Sequence, residues 1–390
     1  MKLGLRRTIL GAAATVFVCM LGVALNGQGQ AAGQAAAPER PPMSEEVFKN
    51  VQVLKGMPVN EFMGTMGIFS SALGMSCEDC HAADDRAWEN FQVDNARKRM
   101  ARRMILMVQE INKTNFGGRQ MVTCYSCHRG ADKPRTASDL EQLYGGIPQP
   151  DPNYVITQAP GQPMPAVILD KYLAAVGGAQ RVAGLTSFIA QGTAVGYGPE
   201  SAEERKVEIY AKAPNQFTTL IHTGNGDITR VTNGVNAWLA ETLRPVDVLP
   251  LAGKDLEGAK VDAVLLFPGN IKTALLRMRV GFPSVIDDED VNVIQGNTPA
   301  GTVVSLYFDD KTGLLRRMLR YVDSPVGPLL TQWDYENYKD VNGIKMPFKV
   351  THTWLDGREI MELTQIRPNV AIPDTRFAKP SAAVAPKPRA

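Results

Sequence analysis

The chain has 390 residues, which is long for one domain and comfortable for two. Its hydrophobic content of 44% and charged content of 21% are typical of a soluble globular protein. The chain has 42 Lys and Arg residues, of which Lys2, Arg6 and Arg7 lie at the start. The remaining 39 basic residues nearly balance the 40 Asp and Glu residues. This balance, without a polybasic tail, argues against a nucleic acid partner.

The first residues are typical of a secretion signal. Their basic start is followed by an apolar run, Ile9–Leu25, and by small residues over Gly27–Ala37. We predict a signal peptide over residues 1–32 that exports the chain to the periplasm. The alternative is an uncleaved, membrane-associated anchor, but a run of about 17 apolar residues lies at the short end of what spans a bilayer.

Residues 44–137 contain an internal repeat and form the first predicted module. Each half is a helix-like segment, a loop and a Cys-x-x-Cys-His motif, and corresponding cysteines are offset by 47 positions. Both helix-like segments carry an apolar stripe at the same helical spacing, with a Met at the second position. The stripes are Phe62, Met66, Phe69 and Leu73 in the first segment, and Met100, Met104, Met107 and Ile111 in the second.

The two motifs are Cys77-Glu-Asp-Cys80-His81 and Cys124-Tyr-Ser-Cys127-His128. They use every cysteine except Cys19, which lies inside the apolar run of the leader. In such a motif two thiols one helical turn apart form thioethers with haem, and the following histidine binds the iron. We therefore predict two covalently bound haems c, attached through these four cysteines and ligated by the two histidines.

Other chemistries that use paired cysteines differ in spacing. A zinc ribbon usually has about 15–20 residues between its pairs, whereas 43 residues separate Cys80 from Cys124. A thioredoxin-like dithiol has one pair beside a βαβ unit, which is absent from this sequence. Two copies, each followed directly by histidine, favour haem over both alternatives.

The ligand opposite each histidine decides what a haem does. A methionine thioether stabilises ferrous iron, raises the potential and closes the iron to small molecules. Met66 and Met104 are candidates, but Met stripes also serve as core packing, and spacing alone leaves both interpretations open. Competing side chains are Met63 and Met75 at the first site, Met100 and Met107 at the second, and His222 and His352 in strand-like runs where structural or surface roles are expected.

The second helix-like segment is strongly basic. A solvated helix face is the default interpretation. The alternative is that these basic side chains form ion pairs with the haem propionates, whose negative charges need compensation where the dielectric constant is low. The basic residues are Arg97, Lys98, Arg99, Arg102 and Arg103, and Arg129, Lys133 and Arg135 follow the second motif as further candidates.

The rest of the chain changes character twice. Residues 138–165 contain closely spaced prolines, which predict a semi-rigid, extended linker. Residues 166–380 contain short alternating runs separated by turn sequences, which predict an antiparallel β domain with a few helices. The predicted fold class is therefore multidomain, with a mainly α haem-packed module followed by an α+β domain.

Within this β domain several elements have local signals. Helices are predicted over Ile168–Leu185, with a break at Gly177-Gly178, and over Leu256–Leu266 and Asn270–Arg279, which Pro268-Gly269 separates. Predicted strands include Lys206–Ala211, Val303–Phe308 and Phe348–Trp354, and predicted turns include Asn225-Gly226, Asn342-Gly343 and Asp356-Gly357.

Residues 51–130 resemble a known family. The segments that carry the resemblance are Val51-Gln-Val-Leu54, Thr65-Met66, Ala101-Arg-Arg-Met104-Ile-Leu-Met107, Ile111-Asn112 and Val122-Thr-Cys-Tyr-Ser-Cys-His-Arg-Gly130. They are similar to the cytochrome c subunit of photosynthetic reaction centres, in a short, dihaem form. In that family each haem segment is a helix bearing the axial methionine, a turn and the attachment motif, which implies Met66 for the first haem and Met104 for the second.

The sequence departs from the four-haem, lipid-anchored members of this family. It has two attachment motifs, Phe17-Val18 in place of small residues before Cys19, and no histidine between Ile111 and Cys124. The resemblance therefore implies electron transfer without fixing a photosynthetic partner.

Two segments of the C-terminal half carry a weaker resemblance, Tyr307–Leu315 and Asp334–Pro347. They are similar to periplasmic lipoprotein-carrier (outer-membrane lipoprotein-sorting) proteins. This resemblance implies an unclosed antiparallel β half-barrel over helices, whose concave face could hold a lipid or a quinone. The sequence shows no catalytic constellation in this half.

We interpret the chain as a periplasmic dihaem electron carrier rather than an enzyme. Its expected partners are redox proteins, with a membrane-bound reaction centre or a respiratory complex as candidates. Two alternatives remain open: a dihaem peroxidase-like enzyme with one open iron, and a lipid- or quinone-binding module in which the haems sense or reduce the ligand.

Overall fold

The computed structural model describes residues 39–81, 88–138, 140, 156–196, 202–242 and 244–382. The predicted signal peptide and most of the predicted linker lie outside the described residues. No helix within these ranges is long and apolar enough to cross a membrane.

The N-terminal part of the described chain is helical. Its helices are α1 (Ser44–Val47), α2 (Val59–Leu73), α3 (Cys77–Cys80), α4 (Ala96–Phe116) and α5 (Cys124–His128), with a 3₁₀ turn at Trp88–Gln92. The two short helices, α3 and α5, are the two Cys-x-x-Cys-His motifs. The helices α2 and α4 are the two predicted stripe-bearing segments, so the internal repeat is visible in the fold.

Local sequence fixes the ends of the two longer helices. Helix α4 begins after Asn95, whose side-chain oxygen accepts a hydrogen bond from the Lys98 amide at 2.9 Å and satisfies one free N–H of the first turn. It ends at Gly117, and α2 ends at Gly74, with φ values of 61° and 64°. Glycine adopts this left-handed conformation without the steric cost that a Cβ atom imposes.

The C-terminal part combines three helices with a large antiparallel sheet, as predicted. The helices are α6 (Pro165–Ala175), α7 (Ala179–Ala183) and α8 (Gly253–Leu265). The strands are β1 (Ser187–Gly196), β2 (Arg205–Lys212), β3 (Gln216–Ile221), β4 (Ile228–Thr232), β5 (Ala237–Ala240), β6 (Val248–Pro250), β7 (Leu276–Val280), β8 (Ser284–Ile286), β9 (Glu289–Asn297), β10 (Val303–Asp309), β11 (Leu315–Ser324), β12 (Gly327–Val341), β13 (Ile344–Trp354) and β14 (Gly357–Pro368).

All 14 described strands belong to one sheet, which consists of two meanders. The order is β6-β5-β4-β3-β2-β1-β14-β13-β12-β11-β10-β9-β7, and β8 also pairs with β9. The meanders join where β1 pairs with β14, the last strand of the chain. This central pairing is antiparallel and shifts register between Gln191 and Gly192.

Among the helix predictions for this part, one helix break is confirmed and one helix is wrong. The break at Gly177-Gly178 is confirmed, since it separates α6 from α7. The prediction of a helix over Asn270–Arg279 is wrong. Its first residue ends a 3₁₀ turn, and Leu276–Val280 forms β7 against β9. Pairing at the sheet edge, with Val280 fully buried, outweighs the intrinsic helical propensity of this segment.

The main hydrophobic core lies between one face of the sheet and the helices of the C-terminal part. Helix α6 contributes Leu169, and the sheet contributes Phe308 and Met318, all nearly inaccessible to solvent. A ring contact joins Phe308 to Tyr172, with centroids 5.4 Å apart. Burial of this apolar surface is the main free-energy gain that holds the strands in one sheet.

A second hydrophobic cluster joins the helical part to the sheet. Its buried members are Leu54, Met57, Ile68, Ala72, Ile105 and Cys124 from the helical part, and Val322, Val326 and Leu329 from β11, β12 and the turn between them. Polar contacts flank it: the Gln120 amide donates to the Ser324 carbonyl at 2.7 Å, and the Asn60 amide donates to the Asp255 carboxylate at 2.8 Å. The described helical and β parts therefore share one core.

The end of α2 offers a stability test of this packing. A Cβ atom on Gly74 would lie 2.3 Å from the Gly130 carbonyl oxygen, whereas one on Gly117 would meet nothing within 4 Å. Both substitutions to Ala cost about 1–2 kcal/mol for the left-handed backbone. We expect Gly74→Ala to lower the free energy of unfolding further, because it also displaces the second motif. Chemical denaturation measures both variants, and equal losses would contradict the close approach of Gly74 and Gly130.

Candidate functional site

Each Cys-x-x-Cys-His motif forms a single capped helical turn. At the first motif the Asp79 carboxylate accepts a hydrogen bond from the Ser76 amide at 2.9 Å. At the second, the Ser126 hydroxyl accepts one from the Thr123 amide at 3.0 Å. These reciprocal caps stabilise the turn. Since residues three apart share a helix face, each turn presents its two thiols on the same side.

The four thiols are unbridged and differ in exposure. Cys124 is buried and Cys80 half-buried, whereas Cys77 and Cys127 are exposed. Burial raises the pKa of the Cys80 and Cys124 thiols. A redox-active dithiol of the thioredoxin kind has a lowered pKa instead. The surroundings of these motifs therefore do not favour dithiol redox chemistry.

The two motif histidines have the same hydrogen-bond arrangement. The Nδ1 atom of His81 lies 3.3 Å from the Phe91 carbonyl oxygen, and that of His128 lies 3.0 Å from the Ala131 carbonyl oxygen. Because a carbonyl only accepts, Nδ1 carries the proton and Nε2 keeps its lone pair. Metal-binding histidines usually have such a partner, which fixes the tautomer and the ring orientation. Burial also lowers the pKa of His81 and so favours the neutral form that binds metal.

Aromatic packing further fixes the first histidine. The His81 ring stacks on Phe91 with centroids 4.6 Å apart, and Phe91 also contacts Trp88 at 4.7 Å. The Asn95 amide donates to the Cys80 carbonyl at 2.8 Å, so the residue that caps α4 also holds the end of the first motif. The 3₁₀ turn and α4 therefore support the first motif from one side.

Helix α2 packs against the second motif rather than lying apart from it. The Gly130 amide donates to the Ala72 carbonyl at 2.9 Å, and Ile68, Ala72 and Cys124 share the second hydrophobic cluster. The two halves of the repeat thus contact each other through α2 and α5.

The predicted methionine stripes lie beside the buried faces of their helices. In α4 the buried residues are Ile105, Val108 and Asn112, while Met100 and Met107 are 47% and 43% exposed. Met66 and Met104 are both half-buried, and Met66 packs at the edge of the second cluster. The protein leaves these apolar stripes partly uncovered, so they are available to contact a flat apolar group.

A buried asparagine that sequence reasoning did not assign to the site organises the second motif. The Asn112 oxygen accepts hydrogen bonds from the Met121 and Val122 amides at 3.0 and 2.9 Å, and its amide donates to the Val122 carbonyl at 2.7 Å. These bonds fix the loop that leads into Cys124. The available signal was a polar amide on the buried face of a long helix, where asparagine is otherwise unfavourable.

The basic residues of α4 pair with groups of the helical part. Arg97 donates to the Asp79 carbonyl at 2.7 Å, and Arg102 forms an ion pair with Asp94 at 2.8 Å. The Lys98 ammonium donates to the Phe91 and Val93 carbonyls. Part of this charge therefore supports the protein fold, and compensation of haem propionates stays a prediction.

The two histidines of the β domain have protein partners. His222 lies 3.0 Å from the Asp227 carboxylate on a half-exposed edge, and the His352 ring stacks on Trp333 with centroids 4.0 Å apart. Among the described residues, no group of three or more His, Cys, Asp and Glu side chains could hold a metal ion by itself.

The C-terminal part contains an apolar cavity of about 80 Å³. Aromatic and aliphatic side chains line most of it, including Tyr172, Phe188, Trp333, Tyr335 and Met361. Its volume equals that of two or three water molecules and is below the about 300–1,000 Å³ usual for ligand pockets. A lipid or a quinone would require its walls to move apart, and this ligand stays a prediction.

Comparison with known proteins covers the two parts separately. Residues 19–153 match the sequence profile of the family described as photosynthetic reaction centre cytochrome C subunit. The subunit from Thermochromatium tepidum is 32% identical over 123 residues, which are 30% of this chain and 28% of that protein. The subunit from Rubrivivax gelatinosus is 32% identical over 115 residues, 28% of each chain. The chain thus spans less than a third of the length of these relatives.

Solved structures similar to the chain include lipoprotein-sorting proteins, as predicted for the C-terminal half. A LolA superfamily protein from Nitrosomonas europaea has 15% identity and a TM-score of 0.39, covering 56% of this chain and 99% of its own. An outer membrane lipoprotein-sorting protein domain from Vibrio parahaemolyticus has 12% identity and a TM-score of 0.38, covering 54% and 97%. The resemblance predicted from the N-terminal motifs is also confirmed: that part of the chain is similar to the photosynthetic reaction centre cytochrome c subunit.

Proposed function

We propose that this protein is a dihaem c-type cytochrome that carries electrons in the periplasm. Cys77 and Cys80 would attach one haem and Cys124 and Cys127 the other. The proposal rests on one arrangement that occurs twice. Each motif forms a capped helical turn, and the Nδ1 atom of its histidine is hydrogen-bonded to a backbone carbonyl oxygen. The similarity of residues 19–153 to the reaction centre cytochrome c subunit supports the same function.

The residues present fit a covalently attached haem. The thiols of each motif share one helix face, His81 and His128 keep Nε2 free of the proton, and half-buried apolar stripes run along α2 and α4. Met66 and Met104 are the proposed opposite ligands. Once bound, each haem would supply a one-electron couple between ferric and ferrous iron.

The chain itself contributes rigidity and charge. The caps at Ser76 and Thr123 hold the motif turns, and the carbonyls of Phe91 and Ala131 hold the histidine rings. A fixed ligand set changes little between two oxidation states, which favours rapid electron exchange. The exposed Arg103 is a proposed propionate partner.

Redox proteins are the proposed partners, because a carrier needs a donor and an acceptor. The names of the relatives favour a membrane-bound reaction centre, and a respiratory complex is the alternative. The proposed export by residues 1–32 would bring the chain to the periplasmic side, where such complexes exchange electrons. The rival peroxidase-like function requires one open iron, which two methionine ligands would exclude.

The first prediction concerns the number of haems. The mature protein should retain two haem masses after acid–acetone extraction, because thioether bonds survive the removal of non-covalent haem. Intact-mass spectrometry gives the count, and the double variant Cys124→Ser, Cys127→Ser should retain one. A mass equal to the bare polypeptide would refute covalent attachment.

The second prediction concerns the methionines. Met66→Ala and Met104→Ala should each halve the weak near-infrared band of thioether-ligated ferric haem and lower one midpoint potential. Met107→Ala is the matched control at the second site, because Met107 lies on the same stripe but is more exposed. If Met107→Ala halves the band and Met104→Ala leaves it unchanged, the ligand of the second haem is misassigned.

The third prediction separates a carrier from a peroxidase. With both irons closed by protein ligands, the reduced wild type should not bind carbon monoxide, and Met66→Ala should open one site to it. Visible spectroscopy under carbon monoxide measures the difference. Rapid binding by the wild type, together with peroxide turnover at about 1–10³ s⁻¹, would establish the enzyme instead.

A further inference from the structure

The sheet reaches the helical part next to one proposed iron ligand. The turn between β13 and β14 consists of Leu355 and Asp356 and lies against α2. A Cβ atom on Gly67, the residue after Met66, would lie 3.2 Å from the Asp356 carboxyl carbon and 3.4 Å from the Leu355 Cβ atom. Gly67 is buried, and Leu355 packs at the edge of the same hydrophobic cluster as Met66. This turn thus forms one wall beside the first stripe.

Asp356 lies in a recess rather than on an open surface. Its side chain is accessible to solvent, yet the surrounding protein is dense enough that burial raises its pKa. Cys77, whose thiol is exposed, begins α3 four residues after Leu73, the last residue of α2. The first motif therefore follows directly on the helix that carries Met66 and Gly67, and Asp356 lies against that helix. The first haem would be attached at this recess.

The charged groups around this recess come from three elements. Arg244, in the segment between β5 and β6, lowers the pKa of Asp356 through its positive charge, and it is itself paired with Glu241 at 2.8 Å. Glu78, within the first motif itself, carries a second negative charge. A hydrogen bond from the Trp354 indole and the charge of Arg244 both favour the ionised form of Asp356.

The sheet contacts the second motif differently. The Cys124 sulfur lies 4.0 Å from the Val326 carbonyl oxygen, and Gly327 lies against Thr123 and Ile68. These contacts come from uncharged groups of the turn between β11 and β12. The β domain thus places a carboxylate against α2, next to Met66, and uncharged groups against the second motif.

We propose that Asp356 is a potential-tuning residue, through which the β domain lowers the midpoint potential of the first haem relative to the second. The inference rests on the proposed dihaem function. A carboxylate near the iron stabilises ferric over ferrous haem, because the ferric form carries one more positive charge. Arg244 acts in the opposite sense and more weakly, because it is exposed and paired with Glu241.

The test is a spectroelectrochemical titration of the full-length, haem-loaded protein. Asp356→Asn should move one of the two midpoint potentials upward, by about 59 mV for a tenfold change in the ferric-to-ferrous ratio. The shifted transition should be the one that Met66→Ala also moves, and the near-infrared methionine band should persist. The matched control is Asp340→Asn. Asp340 lies near the end of β12 that is distant from the helical part, about 40 Å along the strand from its first residue.

A second variant tests the proposal even if Asp356→Asn disturbs the fold around that residue. Arg244→Gln changes an exposed side chain and should move the same transition downward. Unchanged potentials in both variants, with two haems retained, would overturn the tuning role and leave the dihaem function standing. A shift of the transition that Met104→Ala moves would overturn it as well. A wild-type protein without covalent haem would refute both proposals.

Discussion

At the end of α2, Gly74 and Gly130 bring two backbones into direct contact, and Ile68 and Ala72 bury the adjoining side chains against the second motif and the sheet. On another side of the same helix, Gly67 admits the turn between β13 and β14. One helix therefore sets the distance between the two halves of the repeat and the position of the sheet beside them. This arrangement depends on the absence of a side chain at Gly67 and Gly74 as much as on the apolar side chains of α2.

The features that the sequence predicted well are those with a local chemical cause. A Cys-x-x-Cys-His motif requires one helical turn, and the caps at Ser76 and Thr123 lie directly before it. Adjacent residues likewise determine the break at Gly177-Gly178 and the turn at Asn342-Gly343. Both residues of that turn have positive φ. Such signals do not depend on what the rest of the chain does.

The features that the sequence missed depend on distant partners. The segment Asn270–Arg279 has helical composition, but its end pairs with β9 and completes the sheet edge. The Met stripes have the spacing of a core face, yet neighbouring faces of α2 and α4 are the buried ones. Asp356 was recognisable only as a turn residue, because nothing near it in sequence indicates that α2 lies opposite. Long-range packing decides each of these cases.

The pairing of β1 with β14 has a consequence for how the protein matures. These strands are adjacent in the sheet but lie at opposite ends of the C-terminal half, so the two meanders cannot join until residues near Pro368 are available. Both Cys-x-x-Cys-His motifs precede every described strand. During synthesis from the N-terminus, the motifs therefore emerge while the sheet that packs against α2 is still incomplete, and non-local strand pairing of this kind forms slowly. The order of residues along the chain thus leaves an interval in which both motifs are present before the sheet packs against α2.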